Sequence, residues 1–134
     1  MKLLLSSYFP KQNYRLPVTA ATARNTCSTL SRIFSAADYA ITGEGKLDFQ
    51  TAMGKAPVGV AKLAKKHGVR VLAFAGSVTK EARACNAAGI DAFFSIVRGV
   101  TTLEEAMKKE VAAENMRESV EQVFRAVAAV TGSL

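Results

Sequence analysis

No acidic residue occurs in the first 35 positions of this sequence, and no tryptophan occurs anywhere in its 134 residues. Cysteine is scarce, with only Cys27 and Cys85, and their separation has no metal-ligand spacing and no disulfide framework. Cys85 reads instead as a small buried apolar residue. No apolar run reaches the length of a membrane span, which excludes an integral helical membrane protein. The start, Met1-Lys-Leu-Leu-Leu5, hints at a signal peptide, but its apolar stretch breaks at Ser6-Ser7 and is too short. The reading is therefore a cytoplasmic protein with no membrane partner.

What is present is a globular composition, with 49% hydrophobic residues and a net charge of +7. The length suits one domain with a substantial core. The charge is unevenly placed. Lys2, Lys11, Arg15, Arg24 and Arg32 give residues 1–35 a charge of +5, leaving +2 for all the rest. A nucleic-acid binder should carry its basic residues on one face of a folded domain. Here they lie in a segment with no persistent helical or strand period, so nucleic-acid binding through a basic arm ranks as the weakest reading.

The texture changes near Ala36, and residues 1–35 read as an atypical basic N-terminal segment. Residues 36–134 read as a regular α/β unit. Tyr39-Ala-Ile-Thr42 predicts a buried strand ending at Gly43. A polar loop, Gly43 to Lys55, follows. Pro57 suits the first position of a helix whose apolar side is Val60, Ala61, Leu63 and Ala64 and whose stop is Gly68. Val69 to Ala75 is the clearest strand. Thr79 is placed to cap a helix from Lys80 to Ala88, and Ala92 to Val97 is a third strand. Thr102 and Glu105 match a capping box. A last helix, Glu114 to Val130, lines up Met116, Val120, Val123, Phe124 and Val127 on one face. Continuous apolar strands alternating with helices predict a parallel sheet covered on both faces, part of a doubly wound fold.

In such sheets ligands bind beyond the carboxyl ends of the strands. Three segments qualify: Gly43–Lys55, Gly76–Thr79 and Arg98–Thr102. The first crowds Thr42, Glu44, Lys46, Asp48, Gln50, Thr51 and Lys55 around Gly43 and Gly45. Lys46 or Lys55 could neutralise phosphate charge, and backbone N–H groups at the bend and the Pro57 helix start could hold an anion. Asp48 or Glu44 could hold Mg²⁺, or accept a proton from an attacking hydroxyl. Spacing alone reads equally well as a polar loop with turn glycines. A dinucleotide fingerprint fails because Asp48 stands where a third small residue is needed. A P-loop fails because Ala56 follows Gly54-Lys55 and Phe49 occupies the position of its first glycine. Gly76-Ser77 reads first as a strand-to-helix turn with a capping serine, and second as a ligand contact. His67, at a helix end, reads as a solvated residue complementing the dipole.

Longer stretches resemble the glycerate kinase type-1 family. They are Ile41-Thr-Gly-Glu-Gly-Lys-Leu-Asp48, Gln50-Thr51, Gly54 to Lys65, Val71 to Ser77, Cys85 to Ile96, Thr102 to Met107 and Glu114-Asn-Met-Arg117. The resemblance covers about residues 36–130, the C-terminal part of the family's chain. It implies a flavodoxin-like doubly wound domain within a two-domain enzyme, and ATP- and Mg²⁺-dependent phosphorylation of glycerate, typically at the 2-hydroxyl. The site candidates carried over are Gly43, Glu44, Gly45, Asp48, Gln50, Thr51 and Lys55. Phe49 departs from the serine common in relatives. Residues 1–35 match no family segment in this reading, and the family's second domain has no counterpart. The expectation is a chain truncated relative to the family and catalytically impaired, or a non-catalytic anion-binding module. A homo-oligomer that covers the uncovered sheet is a further expectation.

Overall fold

Alternation with a period of two organises the centre of the molecule. A computed structural model describes residues 3–5 and 32–132. It contains four parallel strands in sequential order: β1 (Leu3–Leu5), β2 (Tyr39–Leu47), β3 (Arg70–Val78) and β4 (Ala92–Ser95). The register pairs Leu3 with Tyr39, Ile41 with Leu72, and Leu72 with Ala92. The remaining positions of the basic segment, and Cys27 with them, lie outside the described residues. The additional strand, β1, falls in a segment where the sequence predicts none.

Val71, Ala73 and Ala75 point to one face of β3, and Leu72 and Phe74 to the other; all are buried. Strands that step in one direction with right-handed crossovers put their connections on a single face. The packing agrees. The first face is covered by α2 (Ala56–Lys65), by a 3₁₀ turn (Lys80–Arg83) and by α3 (Ala84–Ala87). Val58, Ala61, Ala64, Ala82 and Cys85 from these elements are fully enclosed there, with Phe34 and Ile90. Each large side chain so buried contributes about 1.5–3 kcal/mol. Gly68 ends α2 in the left-handed region at φ 71°, which lets the Val69 N–H turn back to the Ala64 carbonyl at 3.1 Å.

The second face is covered by α5 (Lys109–Thr131), which follows a short α4 (Leu103–Ala106). Met116, Val120, Val123 and Phe124 lie on Ile41, Leu72, Phe74 and Ile96. Tyr39 meets Phe124 edge-on at 5.4 Å. The Arg98 guanidinium pairs with Glu118, tying the strand end to the helix. No residue of α5 is fully buried. None of the helices formed by described residues is long and apolar enough to cross a membrane.

Several boundaries differ from the sequence reading. Gly43 and Gly76 do not stop their strands: β2 continues to Leu47 and β3 to Val78, pairing Glu44 with Ala75 and Lys46 with Ser77. Gly76-Ser77 is therefore strand, not turn. Pro57 takes the second position of α2, because Ala56 is the first. The Thr79 hydroxyl makes no capping bond. Thr102 caps through the Glu105 N–H at 3.2 Å, but the Glu105 carboxylate pairs with Lys108 instead of closing the box. The last helix starts at Lys109, one and a half turns before the predicted Glu114.

Candidate functional site

Leu47, fully buried, anchors the end of β2, and Asp48 follows with extended backbone at φ −146° and ψ −173°. That conformation lets the Asp48 carboxylate accept the Thr51 N–H at 3.1 Å, while the Thr51 hydroxyl accepts the Asp48 N–H at 3.3 Å. This reciprocal pair is a capping box with threonine in the usual place of glutamate, and it nucleates the single turn α1 (Phe49–Ala52). The chain then turns through Gly54, at φ 119°, into Lys55 at the start of α2.

Glu44 and Asp48 are drawn together here. Thr51 has no exposed surface, and its hydroxyl donates to the Glu44 carboxylate. The Lys55 ammonium lies 3.5 Å from the Asp48 carboxylate. Lys46 also acts electrostatically on Asp48, as does Asp48 on Glu81 in the neighbouring 3₁₀ turn. Desolvation pushes the Asp48 carboxyl up. The Thr51 N–H, Lys55 and Lys46 more than offset it and hold the group below its ordinary value. A carboxyl held below its ordinary value stays ionised at neutral pH, which suits holding a cation better than accepting a proton. Behind the site, burial pushes the Cys85 thiol up, reinforced by Glu44 and Asp48, and its Sγ sits 3.9 Å from the Asp48 carbonyl. Cys85 is thus an inert wall, as the sequence suggests.

The structure therefore brings Glu44, Asp48, Thr51 and Lys55 together at the carboxyl end of β2. Gly45 and Gly76 lie across from one another, and a Cβ on Gly76 would sit 3.1 Å from the Gly45 carbonyl oxygen. Ser77 is exposed beside Lys46. Thr42 is buried within β2 and Gly43 is pressed against β3, while Gln50 is exposed on α1. At the bend, the amides of Gly54 and Lys55 donate to the Thr51 carbonyl, and those of Val58 and Gly59 to the Lys55 carbonyl. No group of three or more His, Cys, Asp or Glu side chains is placed to hold a metal among the described residues. An open groove of about 440 Å³, lined by Tyr39, Arg70, Val127 and Val130 among others, lies at the opposite end of the strands. It does not adjoin this cluster.

The dual role of Thr51 escapes sequence reasoning, although Asp48-Phe-Gln-Thr51 carries the spacing of a capping box. Its bond to Glu44, seven residues back, has no local signature.

An open parallel sheet with helices on both faces, and a charged cluster beyond a strand end, define an α/β protein of the kind that binds ligands at strand termini. The model of the Glycerate kinase family matches residues 19–128. The chain is 46% identical over 91 residues to a glycerate kinase of Bacillus subtilis (strain 168), covering 68% of this chain and 23% of that one. It is 52% identical over 94 residues to a glycerate kinase of Bacillus cereus (strain ATCC 10987 / NRS 248), covering 70% and 23%. Among solved structures it resembles a Salmonella typhimurium LT2 protein assigned as glycerate kinase 2, at 38% identity and a TM-score of 0.56, over 78% of this chain and 25% of that one. The chain belongs to the glycerate kinase family. The match includes residues 19–35, which the sequence reading leaves outside the resemblance. The chain spans about a quarter of the length of the relatives it matches.

Proposed function

We propose that this chain supplies one wall of a cleft for ATP-dependent phosphoryl transfer to glycerate. The observation that carries the reading is the pairing of the Glu44 and Asp48 carboxylates through Thr51, flanked by Lys46 and Lys55, in a member of this family. Phosphoryl transfer rests on positioning and on charge neutralisation, and the cluster offers both signs of charge. Mg²⁺ takes one or two carboxylates and keeps its waters, so a pair of carboxylates suits it where a three-ligand cage is absent. Asp48 would hold the ion, which would screen phosphate charge. Lys55 and Lys46 would neutralise phosphate or the glycerate carboxylate, and Glu44 would accept the proton of the attacking hydroxyl.

Transfer needs charge stabilisation from several sides, and a quarter-length chain offers one. On its own it should bind Mg-ATP weakly and turn over little or not at all. Calorimetry with Mg-ATP and with glycerate, alongside a coupled ADP-release assay, tests this. Saturable binding lost in Asp48→Ala, with no ADP release, is the expected result. Robust turnover would refute the impaired state, and binding indifferent to Asp48 and Glu44 would refute the site.

A further inference from the structure

We propose that Thr51 is a positioning residue that fixes the Glu44 carboxylate in its working orientation and holds it beside Asp48, an inference that rests on the reading of Glu44 and Asp48 as the acting carboxylates. Two carboxylates at one strand end repel each other, and something must hold them there. Thr51 has two donors and uses both. Its backbone N–H goes to Asp48 Oδ1 at 3.1 Å, and its hydroxyl proton goes to Glu44 Oε1. A hydroxyl has one proton. Asp48 Oδ1, at 3.4 Å from the same oxygen, is the more distant acceptor, so the proton belongs to Glu44. The hydroxyl oxygen meanwhile accepts the Asp48 N–H.

A capping box needs only the two bonds between Asp48 and Thr51. The third bond, across to β2, does nothing for α1; it orders a side chain that otherwise has free torsions. Thr51 is also fully buried. It is therefore unavailable to ATP or glycerate, which moves it from the ligand contacts expected in the sequence to a supporting role. Supporting groups of this kind commonly set activity or metal affinity by roughly 10–100-fold.

The test compares wild type with Thr51→Val, which keeps the shape, and Thr51→Ser, which keeps the hydroxyl. NMR side-chain couplings of Glu44 report its rotamer directly, without any ligand. The expected result is one rotamer in wild type, averaging in Thr51→Val, and one rotamer again in Thr51→Ser. A slowly exchanging Thr51 hydroxyl proton in the wild type, lost in Glu44→Ala, checks the bond even if Thr51→Val fails to fold. An averaged Glu44 in wild type, or an unchanged rotamer in Thr51→Val, overturns the proposal. Mg-ATP affinity should fall roughly 10–100-fold in Thr51→Val and recover in Thr51→Ser. If Mg-ATP affinity ignores Asp48→Asn while the Glu44 rotamer still follows Thr51, the functional reading fails and the positioning stands.

Discussion

The two faces of the sheet are built differently. On one, α2, the 3₁₀ turn and α3 enclose Phe34, Val58, Val71 and Ile90 to 1% exposure or less. On the other, α5 lies across Ile41, Leu72 and Phe74 without burying any residue of its own completely. The sequence of each explains the contrast. The first face is lined by small, fully buried residues, Ala61, Ala64, Ala73, Ala82 and Cys85. The second relies on long side chains, Met116, Phe124, Phe94 and Tyr39. The first face positions the charged cluster, because α1 and the start of α2 hang from it. The second is tied to the carboxyl end of the sheet by the Arg98–Glu118 pair and by Met116, which lies beside Gly43.

Substitutions that hit the two faces unequally test this difference. Phe34→Ala should be the most damaging, at about 3–5 kcal/mol, since the cavity opens in the close-packed face. Urea unfolding would measure it. Gly43→Ala comes next, because its Cβ would fall 2.5 Å from the Phe74 carbonyl oxygen, and backbone cannot swing aside. A loss of about 1–3 kcal/mol is expected, with disturbed Glu44 amide shifts. Phe124→Ala, on the open face, should cost less, about 1–2 kcal/mol for a half-buried ring. Equal losses at Phe34 and Phe124 would erase the distinction.

The smallest effect expected is in acid. Asp91 joins α2 to the sheet, accepting from the Lys65 ammonium at 2.6 Å and from the Val71 N–H at 2.6 Å. Desolvation raises its carboxyl, but Lys65, the Val71 N–H and Arg70 more than offset this and leave it below its ordinary value of 3.8. A depressed acid stabilises the fold above its unfolded value and loses that contribution as pH falls through the folded one. Stability should therefore drop below about pH 4, and Asp91→Asn should flatten the drop. Exposure of both partners limits the effect to about 1 kcal/mol or less.

How far the sequence could be read follows the same contrast. From Tyr39 onward the order of strands and main helices, the two-sided cover and the core role of Cys85 are legible, because apolar periodicity reports burial; β1 and α1 are not. Strand ends are not. Gly43 and Gly76 look like stops, yet cross-strand pairing carries β2 and β3 past them. The helix expected over Lys80 to Ala88 divides into a 3₁₀ turn and a short α-helix. Within the candidate site, the carboxylates and lysines are legible as a polar crowd. Which of them touch is not, since the Thr51 bond to Glu44 depends on α1 folding back over the end of β2. That single turn is too short to leave a periodic trace.

Sequential strand order also bears on how the molecule assembles. Each strand pairs with the one before it, so the sheet can grow in chain order. The seat of α5 is different: Ile41, Leu72, Phe74 and Ile96 come from three successive stretches and exist together only once the sheet is complete. Docking of α5 is then a late event. Weakening its contacts should hasten unfolding while leaving the refolding rate nearly unchanged, and the chain would lose its last-placed helix first when stressed.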